Sequence, residues 1–330
     1  MNEFFIIILF IVLNSIFFFS YKRISSLIKL YDYPDNIRKK HLKPVPLLGG
    51  IQLILNIYII YFTNNYLGYI DEEIHLGTLV FFSTLVFILG ILDDKFDIKV
   101  RLKFIFLLLI ILFLIMYNDN LLIKNLYFET FNTNFEIGKI SIFFTVLCFL
   151  LFLNACNMFD GVNLQLSVYS IQVFIFFLIQ NFFLSFSLII IVFSLFFILL
   201  NKDGRIFFGD SGSLLISFLI AYLVITQYNI NFEKLSCEMI FLIMFLPGID
   251  MFRLFLLRII SNKNPFKPDR NHIHHLLNKK FSFLKSTIVT QLTIFCALFL
   301  SIYIEKIYII IVLLLLYVTS TIYLYKLIDK

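Results

Sequence analysis

Residues 77–94 read GTLVFFSTLVFILGILDD, an apolar run that ends in two adjacent carboxylates, Asp93 and Asp94. A helix needs roughly 20 apolar residues to cross the hydrocarbon core of a bilayer, and this run is close to that length. A carboxylate inside that core is costly unless it is solvated, paired or bound to a cation, so the acidic pair is expected at the membrane surface. The stretch therefore predicts a membrane-spanning helix with a chemically active end.

The rest of the chain has the same apolar character. Of its 330 residues, 61% are hydrophobic and 15% are charged, whereas soluble globular domains carry about 25% charged residues. Eleven apolar segments are candidate spans, namely 4–20, 50–63, 77–92, 104–117, 141–156, 166–180, 184–200, 211–228, 237–260, 287–304 and 307–325. We therefore predict an all-α, polytopic integral membrane helical bundle of about 10–11 transmembrane helices, formed by a single domain over residues 1–330.

The loops between these segments differ in charge. When Arg253 and Arg258 are counted with the loop that they border, all but four of the 27 Lys and Arg residues lie in one alternating set of loops, the exceptions being Lys124, Lys139, Lys234 and Lys306. Because cytoplasmic loops carry the excess of basic residues, we expect the basic set of loops in the cytoplasm. This places the N-terminus outside and the C-terminus inside, with the protein in the cell inner (cytoplasmic) membrane.

The first cytoplasmic loop combines basic residues with paired glycines. Residues 32–50 contain Arg38, Lys39 and His41, followed by Gly49 and Gly50. Arg and Lys supply charge for a phosphate, and glycines let a backbone approach it closely. A basic anchor for anionic lipid headgroups is the alternative interpretation.

The second and fourth cytoplasmic loops place carboxylates at predicted helix ends. Asp93 and Asp94 precede Lys103, and helical neighbours point about 100° apart, so one carboxylate is expected toward a metal or nucleophile and the other toward a basic partner. Asp210 and Ser211 begin a later span, where free backbone N–H groups can bind an anion. The alternatives are a solvated helix end for the first pair and simple helix capping for the second.

The third loop contains polar residues at a regular spacing. Asn154, Asn157 and Asp160 recur every three residues, and Asn163 follows them. Consecutive members of this series would be neighbours on a helix. Oxygen ligands of this kind suit magnesium, which also takes water and substrate phosphate. Hydrogen bonding between helices is the alternative interpretation.

The fifth loop is rich in histidine. His272, His274 and His275 are three of the five histidines in the chain, and Arg270 lies beside them. Zinc is poorly supported because no cysteine and no fourth spaced ligand accompany them. We therefore favour recognition of an anion or a sugar, with a solvated basic turn as the alternative.

In this order, the five clusters resemble the polyprenyl-phosphate N-acetylhexosamine-1-phosphate transferase family (glycosyltransferase family 4). That family includes bacterial undecaprenyl-phosphate N-acetylglucosamine-1-phosphate transferases and phospho-N-acetylmuramoyl-pentapeptide transferases. The resemblance runs from about Asp32 to His275. The His-Ile-His-His motif that ends at His275 is similar to the N-acetylglucosamine branch, since the muramoyl-peptide branch has three consecutive histidines. One departure is Asn163, which stands where bacterial relatives often have a second aspartate.

The resemblance implies an Mg²⁺-dependent phosphotransferase, with Mn²⁺ as a substitute, whose active site lies on the cytoplasmic face. It would transfer an N-acetylhexosamine-1-phosphate, foremost N-acetylglucosamine-1-phosphate, from a UDP-sugar to undecaprenyl phosphate, releasing UMP. The product would be the first lipid-linked intermediate of a cell-surface polysaccharide such as lipopolysaccharide O-antigen. The implied catalytic residues are Asp93, Asp94, Asp160 and Asp210, and the implied metal ligands are Asn157 and Asp210. The implied substrate-binding residues are Arg38, Lys39, His41, Gly49, Gly50, Lys103, Asn154, Asn163, Arg270, His272, His274 and His275.

The expected partners are the two substrates and the lipid bilayer, without nucleic acid, and a homodimer is an assembly that the sequence allows. Two other functions are weighed: the same chemistry on a muramoyl-pentapeptide donor, and secondary transport. A transporter site would lie near the membrane midplane on broken helices. Only Asp250, close to Pro247 and Gly248, hints at such a break.

Overall fold

The computed structural model describes residues 2–34, 43–67, 74–263 and 271–328. Within these residues the helices are α1 (Asn2–Ile28), α2 (Gly49–Leu67), α3 (Leu76–Phe96), α4 (Val100–Tyr117), α5 (Ser141–Phe159), α6 (Gln165–Ile179), α7 (Leu184–Asn201), α8 (Gly209–Ile230), α9 (Cys237–Ile260), α10 (Ile273–Lys280), α11 (Phe283–Leu300) and α12 (Lys306–Ile328). Two short antiparallel pairs accompany them: β1 (Tyr31–Asp32) with β2 (Val45–Pro46), and β3 (Asn125–Phe128) with β4 (Thr133–Glu136).

Every predicted span coincides with a helix. In the described part of the chain, nine helices are long and apolar enough to cross a membrane, α2 has 19 residues, and α6 is a shorter apolar helix of 15 residues. Among the described residues, the eight-residue helix α10 inside the predicted fifth loop and the two short strand pairs were not predicted. The predicted polytopic helical bundle is therefore confirmed.

Helix α8 forms the centre of the bundle. Every residue from Ser211 to Tyr228 is buried, and the helix packs against α2, α3 and α5. Helices in a bilayer associate through close packing, which small residues permit. A Cβ atom on Gly90 of α3 would lie 2.6 Å from the backbone nitrogen of Ser211, and one on Gly50 of α2 would lie 2.7 Å from that of Gly212. These glycines let two helices contact the backbone of α8 at its first turn.

The first loop is bound to the segment that precedes α8. The backbone nitrogen of Phe207 donates to the carbonyl of Pro46 at 3.0 Å, and that of Gly49 donates to the carbonyl of Phe207 at 3.1 Å. Strand β2 and the start of α2 therefore lie beside the residues that lead into α8.

The opposite end of the bundle carries the β3–β4 hairpin. The hydroxyl of Tyr228 accepts from the backbone nitrogen of Tyr127 at 2.8 Å and donates to the carbonyl of Asn125 at 2.9 Å. The Glu238 carboxylate accepts from the backbone nitrogens of Glu129 and Thr130. These contacts tie the hairpin to α8 and α9.

Helix α9 contains Pro247 and continues without interruption to Ile260. The sequence near Pro247 and Gly248 hinted at a break in this span, but α9 is continuous there. Proline removes one backbone hydrogen bond from a helix interior, and membrane helices tolerate it because neighbouring helices and side chains satisfy the freed groups. Asp250 lies on this continuous helix.

Candidate active site

The predicted acidic residues meet at one end of the bundle because successive helices run in opposite directions. Asp93 lies in the last turn of α3, and Lys103 lies in the first turn of α4. Asp160 follows α5, and Asp210 lies in the first turn of α8. Three loops that are far apart in sequence thus contribute to one surface.

Lys103 links two of these carboxylates. Its Nζ atom lies 2.7 Å from Oδ2 of Asp93 and 2.5 Å from Oδ1 of Asp210. The other oxygen of Asp93 accepts from the backbone nitrogen of Ile98 at 2.8 Å. Asp93 is buried, whereas 34% of the Asp210 side chain is exposed. Charged groups that are removed from water need partners that offset the lost hydration, and Lys103 and the backbone nitrogen of Ile98 are these partners for Asp93. Asp210 shares Lys103 but remains accessible to solvent.

Asp94 makes different contacts from its neighbour. The predicted pairing of one carboxylate with a basic partner is confirmed by Asp93 and Lys103, whereas the predicted orientation of the other toward a metal or nucleophile stays a prediction. The Oδ1 atom of Asp94 accepts from the backbone nitrogen of Asp210 at 2.7 Å, and its Oδ2 atom accepts from that of Ser211 at 3.0 Å. The first N–H groups of a helix lack partners within the helix. Asp94 therefore caps α8 from another helix, in the position that the sequence analysis gave to a substrate anion.

This arrangement argues against the capping interpretation of Asp210. Its carboxylate faces Lys103, and the cap of α8 comes from Asp94. Gly209 permits the contact, because its φ is +70° and a Cβ atom there would lie 2.7 Å from a carboxylate oxygen of Asp94. Asp210 therefore does not provide the side-chain cap of α8, and the catalytic roles predicted for Asp210 and Asp94 stay predictions.

The end of α5 adds an amide and a further carboxylate. The hydroxyl of Ser213 donates to Oδ1 of Asn157 at 2.6 Å, and Asn157 is a hydrogen-bond partner of Asp210. Asp160 is half-buried. Its pKa is raised well above the usual value by burial and then by the negative charges of Asp210 and Asp94. The carboxylates are close enough to repel one another.

The charge and chemistry of this cluster fit a magnesium ion. Among the residues that the structure describes, Lys103 is paired with both Asp93 and Asp210, so one positive charge meets two carboxylates, and Asp94 and Asp160 lie near Asp210. No group of three or more His, Cys, Asp or Glu side chains in the described ranges converges as a complete metal-binding set. Magnesium does not need such a set, because it keeps water ligands and binds through one or two carboxylates together with substrate phosphate.

The predicted glycines of the first loop contact protein. Cβ atoms on Gly49 and Gly50 would lie 2.7 Å from the ring of Phe208 and 2.6 Å from Oγ of Ser211, respectively. Their tight contacts therefore serve the packing of α2 against α8. Their predicted contact with a phosphate stays a prediction.

The histidine motif lies next to the loop that follows α5. The rings of His272 and His274 are stacked with centroids 5.6 Å apart, and those of His274 and His275 are 4.4 Å apart. A Cβ atom on Gly161 would lie 2.8 Å from Nε2 of His274. The structure thus brings the fifth predicted cluster beside the third.

His274 is the most buried member of the motif, with 0% of its surface exposed. Neither ring nitrogen has a hydrogen-bond partner among the described residues. Burial and then the neighbouring His275 and His272 lower its pKa well below the usual value, which favours a neutral ring. His274, as a neutral and buried ring that stacks on its neighbours, therefore supports the position of His272 and His275 and contributes no positive charge to the motif.

Two predicted residues contact other parts of the protein. The side-chain nitrogen of Asn154 donates to the carbonyl of Leu150 on its own helix. Asn163 lies beside Gly204 in the loop that follows α7. Four other predicted substrate-binding residues, Arg38, Lys39, His41 and Arg270, lie outside the described residues.

Three polar residues that connect the site were not predicted. Ser213 binds Asn157, and Asn201 links two site loops by accepting from the backbone nitrogen of Leu164 and donating to the carbonyl of Ile206. Asp250 binds His272. The sequence did mark Asp250, because it is an acidic residue within an apolar span. That feature was interpreted as a hint of a transporter.

Residues 76–228 match the sequence model of glycosyl transferase family 4. The chain is 28% identical to the undecaprenyl-phosphate alpha-N-acetylglucosaminyl 1-phosphate transferase of Salmonella typhi over 275 residues, which cover 80% of this chain and 73% of that protein. It is 26% identical to the protein of the same name from Escherichia coli over 276 residues, again 80% and 73% of the two chains. A probable undecaprenyl-phosphate N-acetylglucosaminyl 1-phosphate transferase of Bacillus subtilis is 28% identical over 264 residues, which cover 78% and 72%. The resemblance predicted from the five loops is confirmed, and the protein is a multi-pass membrane protein.

Proposed function

We propose that this chain, whose residues 76–228 match glycosyl transferase family 4, transfers a sugar-1-phosphate from a UDP-sugar to undecaprenyl phosphate. The donor is UDP-N-acetylhexosamine, foremost UDP-N-acetylglucosamine, and the second product is UMP. Relatives from three bacterial genera carry names that describe this acceptor and this sugar. The reaction lies at the cytoplasmic face of the inner membrane, a placement supported by the basic residues of the loops on the site's side.

The observation that carries the proposal is the cluster in which Lys103 binds Asp93 and Asp210, with Asn157 and Asp160 beside them. Transfer of a phosphoryl group needs little covalent chemistry from a protein and depends on positioning and charge stabilisation. A cluster of carboxylates, an amide and a lysine at a membrane surface supplies these elements. Its place at the end of the bundle lets a lipid phosphate enter from the bilayer and a nucleotide from water.

In the proposed step, an oxygen of the lipid phosphate attacks the phosphorus that bears the sugar. A new P–O bond forms while the bond from that phosphorus to the bridging oxygen breaks, and the electron pair leaves with UMP. The second pKa of a phosphate monoester is about 6, so the attacking group is largely deprotonated at neutral pH. A strong base is therefore not required, which agrees with the engagement of Asp93 by Lys103 and of Asp94 by α8.

Asp210 and Asn157 would hold the magnesium ion, since Asp210 presents a partly exposed carboxylate and the Asn157 amide, whose oxygen accepts from Ser213, lies beside it. A bound divalent cation would offset the repulsion between two anionic substrates and the charge that develops on the leaving group. Lys103 contributes a fixed positive charge between Asp93 and Asp210. His275 lies beside Gly161, where it can contact the phosphates or sugar of the donor, and the buried His272 stacks on His274 next to it.

Secondary transport is disfavoured by where the charges lie. The acidic cluster occupies helix ends, whereas transporter sites lie near the midplane on interrupted helices, and α9 is continuous at Pro247. The muramoyl-pentapeptide donor is disfavoured by the His-Ile-His-His order of residues 272–275.

A donor panel tests the proposal. Purified protein is incubated with undecaprenyl phosphate and several UDP-sugars, and the lipid product is identified by mass spectrometry. We expect a lipid diphosphate-sugar with UDP-N-acetylglucosamine and less product with other donors. Absence of lipid product from every donor, with protein that remains folded, contradicts the proposed function.

Removal of divalent ions tests the proposed metal site separately. Because the proposed ligands are oxygen atoms, activity should be lost in excess EDTA and return with Mg²⁺ or Mn²⁺. Calcium is the matched control, since its larger radius and flexible coordination suit a magnesium site poorly. Full turnover in EDTA removes the metal from the mechanism and leaves the transfer reaction standing.

A further inference from the structure

A buried polar network joins the histidine motif to two other helices. Asp250 of α9 is 2% exposed. Its carboxylate accepts from Nη2 of Arg253 at 2.8 Å and from the hydroxyl of Tyr317 on α12 at 2.7 Å. It also binds Nδ1 of His272 at 2.7 Å and the backbone nitrogen of Ile273, the first residue of α10, at 3.2 Å. One carboxylate therefore connects α9, α10 and α12.

The contact with His272 fixes the proton on that ring. A carboxylate beside an arginine can only accept hydrogen bonds, so Nδ1 of His272 must carry hydrogen. The other ring nitrogen, Nε2, is then the one that remains for a second contact. Which nitrogen of a histidine is available is set by the partner of the other nitrogen. Asp250 thus determines which atom His272 can present.

Arg253 holds the same segment from a second direction. Its guanidinium donates from Nε to the hydroxyl of Tyr317 at 2.7 Å and from Nη1 to that of Tyr325 at 2.9 Å. Its Nη2 atom donates to the backbone carbonyl of Asn271 at 2.7 Å. The positive charge balances Asp250, and the residue just before His272 is fixed to α9.

The stacked histidines connect the position of the His272 ring to the loop that carries Asp160. His272 stacks on His274 with ring planes 6° apart, and His274 packs on His275 and on the edge of Phe159. His274 in turn contacts Gly161, which is adjacent to Asp160 in the sequence. A rotation of the first ring would therefore disturb the second ring and the loop that follows α5.

We infer that Asp250 is a positioning residue, which fixes the tautomer and orientation of His272 and so aligns the histidine motif for recognition of the UDP-sugar donor. The inference rests on the proposed function for its substrate. The carboxylate itself lies out of reach of substrate, since it is buried and its oxygens are engaged by Arg253, Tyr317, His272 and Ile273.

The kinetic test compares three substitutions in full-length protein. Asp250→Asn should raise the KM for the donor at least tenfold and leave the KM for undecaprenyl phosphate within about twofold, because the motif faces the donor. Asp250→Glu should recover part of the loss. Tyr317→Phe is the matched control: it removes the hydrogen bonds of the hydroxyl to Asp250 and Arg253 and spares the contact of Asp250 with His272, so its donor KM should stay within about threefold of wild type.

A second measurement reports on His272 without any turnover. The chain has five histidines, so ¹⁵N-histidine labelling gives few signals, and His272→Asn identifies that of His272. Wild type and Tyr317→Phe should show hydrogen on Nδ1, whereas Asp250→Asn should show both tautomers. Direct binding of UDP-N-acetylglucosamine, measured by calorimetry, should weaken at least tenfold in Asp250→Asn.

These readouts separate the possible failures. A wild-type protein that transfers no sugar and yet shows hydrogen on Nδ1 overturns the proposed function and leaves the geometry of His272 intact. A donor KM and a tautomer that are unchanged in Asp250→Asn overturn the positioning role. If Asp250→Asn loses activity only because its melting temperature is lower, and both KM values are unchanged, Asp250 has a role in folding. That result also overturns the positioning role.

Discussion

Asp210 and Asp94 lie close together in the structure but make different contacts. Asp94 uses both oxygens to cap α8, while Asp210 presents a partly exposed carboxylate that shares Lys103 with Asp93. A cap needs only a hydrogen-bond acceptor, and asparagine caps about as well as aspartate. A residue that binds a cation or stabilises charge needs its full negative charge. Substitution by asparagine therefore separates the two functions at each position.

Asp210→Asn should reduce turnover by about a thousandfold, which corresponds to roughly 4 kcal/mol of transition-state stabilisation. The folded protein should remain in the membrane, because the cap of α8 comes from Asp94. The measurement is the rate of lipid-linked product per mole of purified protein. Asp203→Asn is the control: Asp203 is exposed, pairs with Arg205 and lies in the loop that leads to α8, so its rate should be unchanged. A rate for Asp210→Asn above about a tenth of wild type would show that Asp210 is not a charged ligand.

At the scale of elements, the site depends on how closely α3 approaches α8. Asp93 and Asp94 follow Gly90 by one turn, and Gly90 contacts the backbone of Ser211. The first turn of α8 is thus held between a glycine contact and a cap from the same helix. Because protein interiors are close-packed, a larger residue at this contact must separate the two helices.

Gly90→Ala should therefore impair both stability and activity. Its Cβ atom would lie 2.6 Å from the backbone nitrogen of Ser211, and overpacking of this kind costs about 1–3 kcal/mol. We expect a lower melting temperature in detergent and a loss of turnover, since Asp93 and Asp94 move away from α8. Gly77→Ala on the same helix is the control, because a Cβ atom there meets nothing within 4 Å. Equal behaviour of the two variants contradicts a role for the Gly90 contact.

At the scale of the whole molecule, the helices place all polar clusters of the site at one end and the β3–β4 hairpin at the other. The segment between α7 and α8 belongs to the site end, and the segment between α8 and α9 belongs to the hairpin end. Basic residues concentrate on cytoplasmic sides of membrane proteins, so the site end is expected to face the cytoplasm. The supply of a UDP-sugar requires the same orientation.

Cysteine labelling in intact cells tests this orientation. In a variant without the four native cysteines, Glu233→Cys at the hairpin end should react with a membrane-impermeant maleimide. Lys202→Cys at the site end should react only after the cells are lysed. Both positions are exposed in the structure, so a difference in labelling reports the side of the membrane. The reverse pattern would place the site outside the cell and contradict the proposed use of a cytosolic donor.

The sequence by itself determined the membrane class, the order of the spans, and the polar clusters that contain Asp93, Asp160, Asp210 and Asn157. It could do so because the length of an apolar run and the polarity of a loop are local properties. The family resemblance came from the same local clusters, read in order along the chain. The short helix α10 escaped prediction because it lies in a polar segment.

Only the tertiary structure decided which polar group meets which. Lys103 and Asp210 are 107 residues apart, Asp94 and Asp210 are 116 apart, and Asp250 meets His272 from a different helix. The spans are apolar around most of their circumference, so hydrophobic periodicity does not specify which face of one helix turns toward another. That rotation is fixed by contacts between helices, such as the approach of Gly90 to Ser211. For this reason the capping role of Asp94 and the position of Asp250 emerged only from the packed bundle.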